Sequence, residues 1–161
     1  MKKGFSLLET TVALAVLLTS VVGPLTLASF SLRSASVAKN SLIAAGLAQE
    51  GLELVRTARS SNILKNADWL TGLGFCLNSS GCVIDAKDLS VDNCGATCQD
   101  FLFDPSLNLY NYGTGNPTNF SRKIKITETV AGREIKVDVT VSWKEKFGTQ
   151  SFDLSGSLFN W

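Results

Sequence analysis

The chain has 161 residues, 45% of them apolar, a formal charge of +1, four cysteines and no histidine. Without histidine there can be no Ser-His-Asp or Cys-His catalytic arrangement and no His-containing zinc site, so an enzyme is not expected. The balanced charge likewise provides no global basic field to attract nucleic acid, and loss of Lys2 and Lys3 from the N-terminus would take it from +1 to −1.

The chain opens with a short basic leader, Met1-Lys2-Lys3-Gly4, followed by Phe5-Ser6-Leu7-Leu8-Glu9. From Thr10 to Leu32 there are 23 residues without a charge. A helix rising about 1.5 Å per residue needs about 20 such residues to cross a hydrocarbon core, so this stretch is long enough to span a membrane. Glu9 stands at its mouth, where a carboxylate costs up to about 3 kcal/mol in lipid. A secretory signal has a shorter apolar core, about 7 to 15 residues, ending in an Ala-x-Ala-like site. Thr26-Leu27-Ala28 matches that poorly.

The run Lys2-Lys3-Gly4-Phe5-Ser6-Leu7-Leu8-Glu9-Thr10-Thr11-Val12-Ala13-Leu14 resembles the leader and methylation segment of type IV prepilins and pseudopilins. The resemblance implies cleavage between Gly4 and Phe5 by a membrane-embedded prepilin peptidase, with Phe5 becoming the N-methylated first residue. It also implies that Glu9 pairs with the amino terminus of a neighbouring subunit. Physical chemistry favours such a pair, because a carboxylate and an ammonium held in an apolar medium are each costly alone and less so together. The alternative role for Glu9 is local, since Ser6-Leu7-Leu8-Glu9 also fits a helix capping box.

Beyond the apolar run the helical pattern continues. Val37, Ala44, Leu47, Gly51, Leu54, Val55 and Ala58 recur at spacings of three, four and seven, with charged residues between them. One helix from about Ser6 to about Arg59 is expected, roughly 80 Å long. Gly23-Pro24 is expected to kink or locally open it, because proline lacks the donor and crowds the preceding turn. Ala44-Ala45-Gly46-Leu47-Ala48-Gln49-Glu50-Gly51-Leu52-Glu53-Leu54-Val55-Arg56 is also similar to the second helical half of minor pilins.

From residue 60 to 119 the periodicity is lost. Ser60-Ser61-Asn62, Asn78-Ser79-Ser80-Gly81, Asp92-Asn93-Cys94-Gly95 and Gly113-Thr114-Gly115-Asn116-Pro117 are turn-forming clusters, so loops with short strands or one short helix are expected. All four cysteines, Cys76, Cys82, Cys94 and Cys98, lie here. An exported segment permits oxidation, and an even number of cysteines in a loop-rich region reads as a disulfide framework. Of the three pairings open to four cysteines, the local one, Cys76 with Cys82 and Cys94 with Cys98, is preferred. A zinc site made by all four thiolates is disfavoured by the lack of C-x-x-C knuckles. Asp85, Asp88, Asp92, Asp100 and Asp104 suggest calcium, but the spacing is not that of an EF-hand loop, and a solvated acidic surface is the expectation. No cofactor or metal ligand set is assigned.

The C-terminal forty residues alternate. Ile124 and Ile126, then Ile135, Val137, Val139, Val141 and Trp143, then Phe152, Leu154 and Leu158 each make one apolar face. Ala131-Gly132 and Phe147-Gly148-Thr149 provide the turns of a three-stranded antiparallel meander. Its apolar face should meet the stripe on the helix, with Phe159 and Trp161 closing the end. Lys123, Lys125 and Lys136, with Arg122, Arg133, Lys144 and Lys146 near the turns, are placed outward. Glu128, Glu134, Asp138 and Glu145 interrupt them, so a solvated mixed-charge face is expected rather than a DNA-binding stripe.

The expected fold is α+β: a leader at 1–4, a membrane or filament-core half-helix at 5–32, and a domain at 33–161 comprising an amphipathic helix (33–59), a cysteine-containing loop region (60–119) and strands (120–161). This is also the pilin ladle that the resemblance implies. The function expected is a structural subunit of a type IV pilus, a minor pilin ahead of a major one. Its partners would be prepilin peptidase, other pilins, the inner-membrane assembly machinery and, before assembly, lipid. It would sit in the inner membrane with its N-terminus cytoplasmic and then enter an extracellular pilus. The alternatives are a pseudopilin of a type II secretion machine, working in the periplasm, and an anchored adhesin or DNA-binding module that never polymerises.

Overall fold

A computed structural model describes residues 6–146 and 148–160. The expected cleavage at Gly4 and Phe5, the turn residue Phe147 and the closing residue Trp161 lie outside them. The architecture is α+β, with one long N-terminal helix and an antiparallel sheet. The chain divides into two compact units between Asn40 and Ser41.

Helix α1 spans Leu7–Leu64. It starts where the Ser6 carbonyl accepts the amides of Glu9 and Thr10, at 3.0 and 3.2 Å. It passes Pro24 without interruption, so the local opening expected at Gly23-Pro24 is not present. Proline removes the amide that would have met the Ser20 carbonyl, but the neighbouring rungs hold the helix together. The end differs from the expected Arg59. Ser60, Ser61 and Asn62 are helical, and termination falls to Asn66, whose φ of 53° is left-handed. The Ala67 amide bonds the Asn62 carbonyl and the Asn66 amide bonds the Ile63 carbonyl, both at 3.0 Å. These two bonds form a Schellman motif that satisfies carbonyls left open by the last turn. The Asn62 side chain then secures the following loop by donating to the carbonyls of Trp69 and Thr71.

After a 3-10 turn at Gly74–Leu77 come seven strands: β1 (Cys82–Ile84), β2 (Val91–Asn93), β3 (Asp100–Asp104), β4 (Leu109–Asn111), β5 (Asn116–Val130), β6 (Glu134–Glu145) and β7 (Gly148–Phe159). The expected meander is β5-β6-β7. It is the trunk of a larger sheet, because β5 also pairs with β1 and β3 on its other side. Asn116 and Pro117, read from sequence as turn residues, begin β5. The β6-β7 register runs without a break from Glu134↔Phe159 to Glu145↔Gly148. Gly132, at φ 67°, makes the β5-β6 turn, a conformation that side chains on other residues resist.

The core lies between the sheet and the helical segment from Ser41 onward. Ile124 and Ile126 of β5, and Ile135, Val137, Val139, Val141 and Trp143 of β6, are buried on one face, with Ala44, Leu47, Ala48, Gly51 and Val55 of α1. Close approach depends on Gly51: a Cβ there would come within 2.9 Å of Arg122 Cδ and 3.0 Å of Val139 Cγ1. Phe159, expected to close the end of this core, instead falls on the opposite face from Leu158 and is 38% exposed.

Arg122 is the largest departure from expectation. Placed outward by its charge, it is completely buried. Alternation explains this, since residue 122 shares parity with Ile124 and Ile126 and therefore faces the core. Its Nη1 donates to the Leu47 carbonyl at 3.0 Å and to Glu50 Oε2 at 2.8 Å, and Nη2 donates to the Ile84 carbonyl at 2.7 Å. The guanidinium lies 4.9 Å from the centre of the Phe101 ring. One side chain thereby links α1, β1, β3 and β5. The planar fork of donors and the stacking plane are properties of arginine that lysine lacks.

Candidate functional site

The N-terminal unit has the least conventional surface in the molecule. From Leu7 to Leu32, thirteen large apolar side chains are more than half exposed, among them Leu7 at 82%, Leu25 at 66% and Phe30 at 73%. They occur on every face of the helix, so no single apolar stripe could be covered by one neighbour. Fully hiding a Leu, Val or Phe side chain is worth about 1.5 to 3 kcal/mol. At these exposures the segment stands to gain on the order of 20 kcal/mol by entering an apolar environment. The charge at its start cannot offset that, since a carboxylate costs about 3 kcal/mol even at a helix centre.

The polar side chains within the run are already satisfied. Thr10, Thr11, Thr19, Ser20, Thr26 and Ser29 each donate a hydroxyl to a carbonyl three or four residues earlier, at 2.8 to 3.0 Å. A hydroxyl bonded to its own helix needs nothing from solvent, so these residues enter lipid or a helix bundle at little cost. The helix is therefore long and apolar enough to cross a membrane, and within this window none of it is buried by the rest of the chain.

Glu9 lies in the first turn and is exposed. The start of the helix is made by backbone bonds to the Ser6 carbonyl. The reciprocal side-chain bonds of a capping box are not formed among the described residues. As an acidic group in the first turn, Glu9 still interacts favourably with the helix dipole.

In the second unit, Cys76 is bonded to Cys82 and Cys94 to Cys98. The two bridges sit in different surroundings. Cys76 and Cys82, the latter in β1, are both fully buried in the core, whereas the Cys94–Cys98 bridge closes a loop in which Cys94 is buried and Cys98 half-buried. The aspartates do not converge into a group able to hold a metal ion among the described residues. Asp85, expected on a solvated acidic surface, is only 7% exposed. Its two oxygens accept the amides of Lys87 and Tyr112, pinning the β4-β5 connection to the loop after β1. Asp88 and Asp104 accept the amides of Ser90 and Ser106, and these serine contacts hold both carboxyls below their ordinary range.

On the outer sheet face, Lys136 pairs with Asp138 at 2.8 Å. Lys123 and Lys144 border a shallow groove of about 400 Å³ together with Asp100 and the hydroxyls of Ser121, Thr140 and Ser142. Arg122, by contrast, is withdrawn into the core. Alternation could have located Arg122; the seven-strand sheet had no comparable signal, because β1, β2 and β4 are three residues each.

No family model matches this chain, and no curated protein or solved structure is significantly similar to it.

Proposed function

We propose that this protein is a structural, non-enzymatic subunit of a type IV pilus or related filament, with the minor-pilin role favoured. Prepilin peptidase would remove Met1–Gly4 on the cytoplasmic side of the inner membrane, and the chain would wait there as a single-pass protein. Its helix would then leave the bilayer and bundle with those of other pilins. The observation that carries this reading is the run after Gly4-Phe5-Ser6-Leu7-Leu8-Glu9. There, eleven exposed large apolar side chains and six self-bonded hydroxyls form a surface suited to lipid and to other apolar helices alike. Glu9 distinguishes a filament subunit from a plain anchor. In lipid its charge has no compensation, and in a bundle an adjacent amino terminus supplies it.

Replacing Glu9 with Ala tests this directly. The variant should insert in the membrane and be trimmed as the parent is, yet be at least tenfold depleted from filaments sheared off cells. Incorporation at the parental level would remove the intersubunit role of Glu9. A pseudopilin would respond in the same way but would remain in the cell envelope, so locating the parent protein by immunogold separates the two machines.

A further inference from the structure

We propose that Cys98 is a site of thiol-disulfide exchange, where a small dithiol opens the Cys94–Cys98 bridge and a small disulfide recloses it, while Cys76–Cys82 stays shut. This inference does not depend on the filament reading. Exchange requires a thiolate to reach a bridge sulfur, so access decides which bridge reacts. Cys76 and Cys82 have no exposed surface and belong to the core cluster. A charged thiolate can meet them only after the core opens, because burying an unpaired charge is costly. The other bridge is open to solvent. Cys94 and Cys98 both line the groove of about 400 Å³ on the outer sheet face, and Cys98 is the more exposed of the two. Attack therefore falls on Cys98, with Cys94 as the leaving group.

The surroundings favour this reaction. Lys123 and Lys144 line the same groove, with Asp100 as the one carboxylate among its lining residues. Two ammonium groups against one carboxylate attract an anionic thiol and stabilise the departing Cys94 thiolate. The loop can also part locally. Gly95, Ala96 and Thr97 are exposed, and beside the bridge the Cys94 amide donates to the Gly81 carbonyl at 3.1 Å and the Gly95 amide to Asn93 Oδ1 at 3.3 Å. Opening the bridge leaves the fold standing, because the strands it joins have other anchors: β2 pairs with β1, and β3 with β4 and β5. Arg122 on the Ile84 carbonyl and Asp85 on the Tyr112 amide tie these pairs together without it. In the first step the thiolate of a dithiol bonds to Cys98 Sγ, the Cys94–Cys98 bond breaks and Cys94 leaves as a thiolate. The second thiol of the reagent then displaces Cys98. The dithiol ends as a disulfide, two electrons pass to the bridge, and the two protons of the reagent end on Cys94 and Cys98.

The test uses the full chain in detergent micelles without denaturant. It is treated with dithiothreitol, quenched with iodoacetamide and mapped by peptide mass spectrometry. Cys94 and Cys98 should become alkylated at least tenfold faster than Cys76 and Cys82, while the fluorescence of the buried Trp69 and Trp143 stays native. Glutathione disulfide, added in place of the quench after the dithiol is removed, should restore the Cys94–Cys98 bridge. A monothiol locates the attack: glutathione followed by iodoacetamide should leave glutathione on Cys98 and the alkyl group on Cys94. Opening of both bridges at one rate, opening of neither before urea unfolds the chain, or glutathione carried by Cys94 overturns the proposal.

Discussion

Replacing Arg122 with Met removes a fully buried charge while keeping most of its volume. The loss can be built from the contacts. The Glu50 carboxylate, whose side chain is 32% exposed, loses a partner at 2.8 Å, and the carbonyls of Leu47 and Ile84 lose donors at 3.0 and 2.7 Å. Removing one member of a buried ion pair costs about 3 to 5 kcal/mol, and stranding a buried acceptor costs about 1 to 3 kcal/mol. Glu50 retains access to water, and the Leu47 carbonyl belongs to the helix ladder, so the lower part of that range applies: about 4 kcal/mol. That is a large share of the roughly 5 to 15 kcal/mol that holds a typical domain together. Urea titration of the full chain in micelles, followed through the fluorescence of the buried Trp69 and Trp143, measures it. A second substitution, Glu50→Met, should recover part of the loss, because no unpaired carboxylate then remains. A loss under about 1 kcal/mol for Arg122→Met would refute the assignment of Arg122 as the tie between helix and sheet.

The remaining predictions concern the bridges and the tyrosines. Serine at both Cys94 and Cys98 should cost about 2 kcal/mol, the loop-closure value for a short loop, while serine at both Cys76 and Cys82 should cost about 4 kcal/mol, because two hydroxyls would then be buried in the core; urea midpoints of the two variants give the comparison. Burial pushes the Tyr112 hydroxyl far above its ordinary value of 10, against the opposing pull of Arg122, and raises Tyr110 as well. A group whose pKa is raised by folding contributes stability that is whole below its unfolded pKa and declines above it. Stability should therefore hold up to about pH 10 and fall beyond it, and the Tyr112 share of the tyrosinate absorbance should appear only as the fold is lost. Full ionisation of both tyrosines in the folded chain near pH 10 would contradict this placement of Tyr112.

Long periodic signals were the most legible. The apolar run and the stripe through Ala44, Leu47, Gly51 and Val55 announced one helix, and the alternation through Ile124, Val137 and Leu154 announced β5, β6 and β7. Failures came where local chemistry competes with long-range contacts. Ser60, Ser61 and Asn62 are turn formers by propensity, but Asn62 contributes more as the anchor of the next loop, so the helix runs to Leu64. Alternation with Ile124 and Ile126 would have put Arg122 in the core, but its charge grouped it with the outward basic residues. Glu50, which decides the matter, lies 72 residues away in sequence and carries no local mark. Gly51 reads as a weak point in a helix until the Arg122 side chain is seen crossing above it. Of the candidate site, the charge-free run and Glu9 are plain in the sequence, and the hydroxyl bonds within the helix follow from its conformation. The two local disulfides needed only close spacing, whereas the different burial of the two bridges depends on the core that encloses one of them.

The central claim is that the chain is trimmed and assembled as a filament subunit, and intact mass spectrometry of the protein isolated from its own cells tests it most directly. The account predicts a chain beginning at Phe5, heavier by one methyl group at its amino terminus and recovered with other pilins in sheared or envelope filaments. A chain that retains Met1 to Gly4, carries no methyl group and stays unassembled in the membrane would contradict it.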